Sequence, residues 1–170
     1  MAWLGRQGAA PYPVPLLPGC FLGMRRDVFE ATGGFDPGMI RWGSNDNEIS
    51  VRLWLLGYEL WLVPQIAVDH FFRDRHPYAV GWTSVLHNAL RLSFVHFDRQ
   101  RFAQVVHALR ERQDFPDALA QMLHSDAIAR RDLLVSRRSR DCDWFFRKFQ
   151  INWEKEPALA EERMEQLCPP

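Results

Sequence analysis

The sequence has 170 residues, and its 47% hydrophobic and 25% charged residues are ordinary for one folded soluble domain. Because 21 Lys and Arg balance 21 Asp and Glu, the net charge gives no general case for binding nucleic acid or an anionic membrane. No apolar run approaches the roughly 20 residues of a membrane span, and the first residues lack the apolar region of a signal peptide. The 3 cysteines have neither disulfide nor zinc spacing, which favours a reducing, cytoplasmic location.

The first part of the chain alternates short predicted elements with turns. Residues 1–15 are rich in Gly and Pro and are predicted to lack regular structure. A short strand is predicted over residues 16–24. A short helix is predicted over residues 25–31, and it should stop at Gly33 and Gly34.

The strongest helical pattern covers residues 45–56. Ile49, Leu53 and Leu56 share one face of that helix, which predicts an amphipathic element with one buried side. Gly57 follows at the position where a left-handed residue commonly ends a helix.

Two β-rich runs and a long helical segment complete the chain. Strands are predicted over residues 58–63 and 66–72, and helical spacing of apolar residues continues through residues 80–150. His87 and His96 in that segment lack metal-ligand spacing and are predicted to be surface or core residues. The predicted organisation is an irregular segment, an α/β part and a helical extension, at residues 1–15, 16–78 and 79–170.

A polar loop before the helix at residue 45 carries the first candidate chemistry. Asn45 followed three residues later by Glu48 has the spacing of a capping box, and Asp46 suits the positive end of the helix dipole. Capping does not explain Trp42 and Gly43. A Trp ring beside a carboxylate in a glycine-containing loop is also suited to carbohydrate, since the ring packs on a sugar and the carboxylate accepts a hydroxyl proton.

A second candidate lies at the end of the last predicted strand, where Asp69 precedes His70. A single histidine is most often structural, but neutral imidazole is also a common metal ligand. Strand alternation would point Asp69 to the opposite face from His70. Arg73 and Arg75 could hold a diphosphate, or they could be solvated loop charges.

An ordered string of motifs is more specific than any of these patterns alone. The string contains Gly19-Cys20-Phe21-Leu22, Arg25-Arg26-Asp27-Val28-Phe29, Gly33-Gly34-Phe35-Asp36-Pro37-Gly38-Met39, Trp42-Gly43, Glu48-Ile49-Ser50, Arg52, Trp54, Gly57, and His70 with Phe72 and Arg73. It resembles the second half of the catalytic domain of GT-A glycosyltransferases of the family 2 type. The similarity is greatest to polypeptide N-acetylgalactosaminyltransferases, and the galactosyltransferase C-terminal region has a similar Trp-Gly-acidic motif. The resemblance covers about residues 16–78.

The resemblance implies an α/β class, with a partial GT-A (nucleotide-diphospho-sugar transferase) fold followed by a mostly helical tail. It also implies a hexosyl- or N-acetylhexosaminyltransferase that uses a nucleotide sugar, most simply a UDP-sugar, and a divalent metal, usually Mn²⁺. By position, His70 matches the family's metal-binding histidine. Trp42 and Gly43 match the loop that lines the donor and acceptor sugars, and Arg73 is assigned to substrate binding.

The same resemblance assigns the start of the helix to catalysis and substrate. Asp46 falls where inverting relatives carry the catalytic base, and it would take the proton from an acceptor hydroxyl that attacks the anomeric carbon. Retaining relatives have Asn there, so Asp46 favours inversion. Asn45 and Glu48 are assigned to substrate binding, although Asn45 departs from the Glu that the galactosyl- and N-acetylgalactosaminyltransferases carry.

Two of the family's expected parts, the first βαβ half and an Asp-x-Asp metal motif, have no counterpart before residue 16. The first hypothesis is therefore a C-terminal part of a glycosyltransferase that needs its N-terminal half in the same or another chain. The second is a non-catalytic binding protein whose open edge a partner or a second copy covers. A weaker third is a metal hydrolase using Asp69 and His70, for which further ligands are missing.

Overall fold

The computed structural model describes residues 8–71 and 78–153. Its elements are β1 (Tyr12–Pro13), α1 (Arg26–Thr32), α2 (Asn45–Leu55), β2 (Trp61–Leu62), α3 (Trp82–His96), α4 (Arg99–Leu109), α5 (Phe115–Leu123), α6 (Ala127–Arg137) and α7 (Cys142–Lys148). This order confirms the predicted class, a small α/β part followed by a helical tail. No helix in the described ranges has the length and apolar character needed to cross a membrane.

Helices α1 and α2 confirm their predicted positions, and both end in the same glycine motif. Gly33 has φ 80° and Gly57 has φ 98°, in the left-handed region that glycine enters without a Cβ penalty. After α2, the Gly57 N–H donates to the Trp54 carbonyl and the Tyr58 N–H donates to the Leu53 carbonyl. This pairing satisfies carbonyls that would otherwise be free at the helix end.

The N-terminus of α2 is not capped as predicted. Ser44 is the N-cap residue, with φ 59° and no side-chain capping bond, and Asn45 is the first residue of the helix. Glu48 does not reach back to the cap, because its carboxylate is committed to buried partners within the protein. The capping-box interpretation of Asn45 and Glu48 is therefore wrong.

Helix α2 is buried on all sides instead of on one face. All residues from Glu48 to Leu55 are buried, including the polar side chains of Glu48, Ser50 and Arg52. The amphipathic prediction is wrong because helices of the tail cover the face that the sequence pattern left to solvent.

The strand predictions are wrong in extent and in place. Residues 16–24 form no strand; the pairing strand is β1, within the segment predicted to be irregular, and it runs antiparallel to β2 with Tyr12 opposite Leu62. The prediction for residues 58–63 holds only at Trp61–Leu62. Residues 66–71 are not a strand, because no described strand lies beside them to supply a hydrogen-bonding partner.

Of two apolar clusters, the first joins α2 to the helical tail and the second lies within the tail. The first surrounds Trp54, whose ring lies 5.9 Å from Trp144 and 5.1 Å from Phe149, between centroids. The second joins α3, α5 and α6 around Leu90 and Met122. The division at residues 78 and 79 stays a prediction, but the packing shows that both sides share buried contacts.

Candidate functional site

The loop between the glycine-rich turn and α2 has an unusual backbone. Arg41, Gly43 and Ser44 all have positive φ, at 50°, 103° and 59°. Only the glycine adopts this region without a Cβ penalty, so Arg41 and Ser44 need support from their surroundings. We call residues 40–44 the left-handed loop; it contains Trp42 and Gly43, which the sequence predicted to line a sugar.

The support comes from α3, through the side chain of Asn88. Its Oδ1 accepts from the Ile40 N–H at 2.8 Å, and its Nδ2 faces the carbonyl oxygens of Ile40 at 2.9 Å, Trp42 at 3.3 Å and Gly43 at 2.8 Å. Asn88 is fully buried. One side-chain amide from the helical tail therefore contacts the backbone of three residues in the left-handed loop.

The glycine-rich turn is held by the next turn of α3. Arg91 forms two hydrogen bonds to Asp36, at 2.8 and 2.9 Å, with both side chains fully buried. Burial alone would raise the pKa of Asp36, but Arg91 and the Gly38 N–H outweigh it and hold that pKa below its usual value. A Cβ on Gly38 would lie 2.1 Å from the Arg91 guanidinium carbon, so this position requires glycine.

Asp46, the predicted base, lies half-buried in the first turn of α2. Its Oδ2 accepts from the Gly19 N–H at 3.1 Å and its Oδ1 accepts from the Asn47 N–H at 3.1 Å. Ser50 reinforces the same junction, since its hydroxyl donates to the Asp46 carbonyl and accepts from the Leu17 N–H. The carboxylate is thus fixed in place by backbone donors while its side chain remains partly accessible.

Glu48 lies deeper than the sequence indicated. It is fully buried, and its carboxylate contacts Arg52 at 2.8 and 3.0 Å and His96 at 2.9 Å. Burial would raise the pKa of Glu48, but His96 and Arg52 together keep it below its usual value. These contacts are all with protein groups, so the geometry gives Glu48 a structural part; its assignment to substrate stays a prediction.

The remaining predicted residues lie elsewhere or outside the described ranges. Trp42 and Asn45 are half-buried on the left-handed loop and at the first position of α2. His70 and Asp69 are exposed on the segment that follows β2. Arg73 lies outside the described residues. The structure therefore brings Trp42, Gly43, Asn45 and Asp46 together along one short stretch of chain.

A separate group of possible metal ligands joins α4 to α7. Asp98, Cys142 and Asp143 have ligand atoms within 4.8 Å of one another, the one such group of three among residues 8–71 and 78–153. Arg101 binds Asp98 and also lies 2.6 Å from Asp143. A guanidinium already neutralises these carboxylates, so the cluster is an ion-pair network that links two helices.

Three residues of α3 that support the site were not predicted: Asn88, Arg91 and His96. The sequence contains one indication of these three residues: they are polar side chains that interrupt the apolar spacing of the helix that begins at Trp82. His96 was predicted only as a surface or core residue, and it is a core residue that binds Glu48. Nothing in the local pattern identified its partner 48 residues away.

A known protein family matches the part of the chain that contains this stretch. A family described as the N-terminal domain of galactosyltransferase matches residues 6–77. This range contains the glycine-rich turn, the left-handed loop, α2 and the segment that carries His70. Residues 6–77 are therefore similar to a domain of galactosyltransferases.

Individual relatives are all named as sugar transferases. Polypeptide N-acetylgalactosaminyltransferase 11 of Xenopus tropicalis is 35% identical over 141 residues, which cover 81% of this chain and 21% of that protein. Probable N-acetylgalactosaminyltransferase 8 of Caenorhabditis elegans is 29% identical over 154 residues, covering 89% of this chain and 34% of that protein. Both matches are longer than residues 16–78, so the similarity continues into the helical tail. The chain spans about a fifth to a third of the length of these relatives.

A solved structure supports the fold independently. The crystal structure of GalNAc-T7 with UDP, GalNAc and Mn²⁺ matches with a TM-score of 0.62 at 24% identity, covering 88% of this chain and 26% of that one. This similarity confirms the partial GT-A fold. The matches are to transferases, so they do not favour the hypothesis of a non-catalytic binding protein.

Proposed function

We propose that this chain forms the C-terminal part of a metal-dependent glycosyltransferase of the family 2 type. It takes part in transfer of a hexosyl or N-acetylhexosaminyl group from a UDP-sugar to a hydroxyl of a carbohydrate or protein acceptor. The observation that carries this proposal is the match over residues 6–77 to a galactosyltransferase family, within which one rigid stretch presents Trp42, Gly43 and Asp46. The names of the relatives and the UDP, GalNAc and Mn²⁺ of GalNAc-T7 support the choice of donor and metal.

Asp46 is the residue we assign to the acceptor hydroxyl. Each of its two oxygens accepts one backbone N–H, which leaves further lone pairs for a hydroxyl. The acceptor oxygen attacks the anomeric carbon as its proton passes to Asp46, and the nucleoside diphosphate leaves with the electrons of the broken C–O bond. Attack assisted from the side opposite the leaving group inverts the configuration at that carbon.

The left-handed loop is the part we assign to the sugar. The Trp42 ring offers an apolar face for a pyranose, and Gly43 allows the backbone to approach closely. Asn45 adds an amide at the start of α2, where free N–H groups carry partial positive charge. The assignment of Glu48 to substrate binding stays a prediction, since Arg52 and His96 bind its buried carboxylate.

The metal ion would be held in part by His70, which is exposed on the segment that follows β2. Bound Mn²⁺ would neutralise negative charge on the leaving diphosphate. Among the described residues, no group of three possible metal ligands includes His70. We assign the remaining ligands to another part of the catalytic domain. Arg73, which we assign to the diphosphate, follows His70 along the chain.

The partner we propose is the N-terminal half of such a domain, in this polypeptide or another, with self-association as the alternative. Large apolar side chains are exposed on both sides of His70 in the chain, at Trp61, Ile66, Val68 and Phe71, and Phe71 is 86% exposed. Exposed apolar patches of this kind commonly mark interfaces. A cytoplasmic location remains our expectation from the cysteine pattern.

The test is a thermal melt of the full chain with Mn²⁺ and UDP, added singly and together. A ligand at about 100 times its dissociation constant stabilises by about 2.7 kcal/mol, which raises the melting temperature by several degrees. We expect the joint shift in the parent and in Asp46→Asn, and its loss in His70→Ala. His107→Ala is the matched control, because His107 is an exposed histidine on α4.

Three outcomes would each contradict a different part of the proposal. A joint shift that survives His70→Ala removes His70 from the metal site. The absence of any shift from a cooperatively melting parent assigns nucleotide binding wholly to the other half of the domain. Asp46 is ruled out as the base if the Asp46→Asn variant transfers sugar as fast as the parent, measured as UDP release in the presence of acceptor.

A further inference from the structure

Asn88 has an environment that only a short side-chain amide satisfies. It is fully buried in the middle of α3, and its side chain points out of the helix to the left-handed loop. A carboxamide has two N–H donors and a carbonyl acceptor, and here both kinds of group are used on backbone. Asp would lack the donors, Leu would lack both, and Gln would be too long by one methylene for the same packing.

The left-handed loop needs such a partner for two reasons. Arg41 and Ser44 carry a Cβ in a disfavoured backbone region. The carbonyl oxygens of Ile40, Trp42 and Gly43 also converge on a single amide nitrogen, and they would repel one another without it. Removing a buried partner leaves these groups unsatisfied, which favours a different loop conformation.

The loop in turn sets the start of α2. The Ser44 carbonyl accepts from the Glu48 N–H at 2.8 Å, so the backbone that Asn88 holds is continuous with the first turn that carries Asp46. Arg41 supports the same arrangement by donating to the Ala79 carbonyl at 3.2 Å. Asn88 is therefore linked to Trp42 and Asp46 through backbone, without touching either side chain in the bonds it makes.

We propose that Asn88 is a positioning residue that holds the left-handed loop, and with it Trp42 and the start of α2, in the form that receives the sugar. The sugar part of this inference rests on the proposed function. The positioning part rests on the hydrogen bonds of Asn88 alone. It also assigns the helical tail a part in the site, because Asn88 lies on α3.

The experiment measures amide hydrogen exchange of the full chain by NMR in Asn88→Ala and Asn88→Asp. The Ile40 N–H reports the Asn88 bond directly, the Glu48 N–H reports the start of α2, and the Leu56 N–H, bonded to the Arg52 carbonyl, reports the core. We expect Ile40 in Asn88→Ala to exchange at least about tenfold faster with Leu56 unchanged, equal to about 1.4 kcal/mol of local opening. The Ile40 N–H should exchange more slowly in Asn88→Asp than in Asn88→Ala, because a carboxylate still accepts that bond. The Glu48 N–H should exchange faster than in the parent in both variants, because neither side chain donates to the loop carbonyls.

Ser93→Ala is the matched control. Ser93 is buried on the same helix, but its hydroxyl donates only within α3, to the Ala89 and Leu90 carbonyls. Its exchange pattern should match the parent. The positioning role is overturned if Ile40 exchanges at the parent rate in Asn88→Ala, or if Leu56 accelerates as much as Ile40, since the effect is then global. Should Asn88→Asp fail to fold, Asn88→Ala decides the point alone.

A second readout separates this inference from the proposed function. The melting shift with UDP-GalNAc and Mn²⁺, minus the shift with UDP and Mn²⁺, measures the contribution of the sugar. We expect Asn88→Asp to lose that difference and to keep the UDP shift. A parent with no nucleotide shift assigns nucleotide binding to the other half of the domain, and the exchange result then decides on Asn88. A retained sugar difference with a loosened loop overturns the link between loop and sugar.

Discussion

At the scale of single residues, Glu48 shows how burial decides between a binding role and a structural one. Arg52 contacts the Glu48 carboxylate and the carbonyls of Thr32 and Gly34, so it joins α2 to the end of α1. His96 adds a contact from α3 on the opposite side. The charge of Glu48 thus balances a guanidinium that has no access to water.

Glu48→Gln should therefore destabilise the chain strongly. The variant keeps the size of the side chain but leaves the Arg52 charge without its counterion, and breaking a buried pair in this way costs about 3–5 kcal/mol. Urea unfolding measures the change. Glu30→Gln is the control, because Glu30 pairs with Arg26 at 3.8 Å on an exposed face and should leave the unfolding midpoint unchanged. Equal midpoints for the two variants would contradict the structural role of Glu48.

At the scale of elements, the sequence predicts best those elements whose stabilising contacts are with residues close by in the chain. Helices α1 and α2 could be predicted because Gly33 and Gly57 end them through bonds to carbonyls only a few residues earlier. The strands could not, because β1 needs β2, about 49 residues later, as its partner. The left-handed loop was located from Trp42 and Gly43, but its conformation depends on Asn88, which no local pattern reveals.

The junction of α4 and α7 makes a pH-dependent contribution to stability. Asp98 caps α4 through the Arg101 N–H at 2.9 Å and accepts the Cys142 thiol of α7 at 3.3 Å. Burial would raise the pKa of Asp98, but the Arg101 N–H, the Cys142 thiol and the Arg101 guanidinium together lower it from 3.8 to about 2. Because the folded-state pKa is depressed, this stabilisation is present above pH 3.8 and is lost as the pH falls to about 2.

Asp98→Asn tests that sign. Asn is still an N-cap, so the cap remains while the titrating charge is removed. The free energy of unfolding of the parent should exceed that of the variant at pH 6, and the difference should shrink between about pH 4 and pH 2. Urea unfolding across that range measures it, beside Asp132→Asn at an exposed position of α6. A difference that stays constant down to the lowest pH would mean that the charge of Asp98 contributes nothing.

At the scale of the whole molecule, the family-matched part and the helical tail depend on each other. Residues 6–77 match the galactosyltransferase family, yet three of their buried polar groups are satisfied from α3. Asp36 binds Arg91, Glu48 binds His96, and the left-handed loop binds Asn88. Without α3, Asp36 and the left-handed loop would lose these buried partners and Glu48 would keep only Arg52, or the core around α2 would open to water.

A fragment ending at residue 80 should therefore fail to fold by itself. It keeps every residue of the motif string but loses Arg91, the partner of Asp36, and His96, one of the two partners of Glu48. Helix α2 also loses the aromatic cover from α7 around Trp54. Far-UV circular dichroism should show no cooperative melt for this fragment. Mixing it with residues 79–170 should restore one, because the missing contacts are between the two pieces. A cooperative melt of the first fragment alone would make the division at residues 78 and 79 a true domain boundary, and the tail would then be an appendage to the site instead of its support.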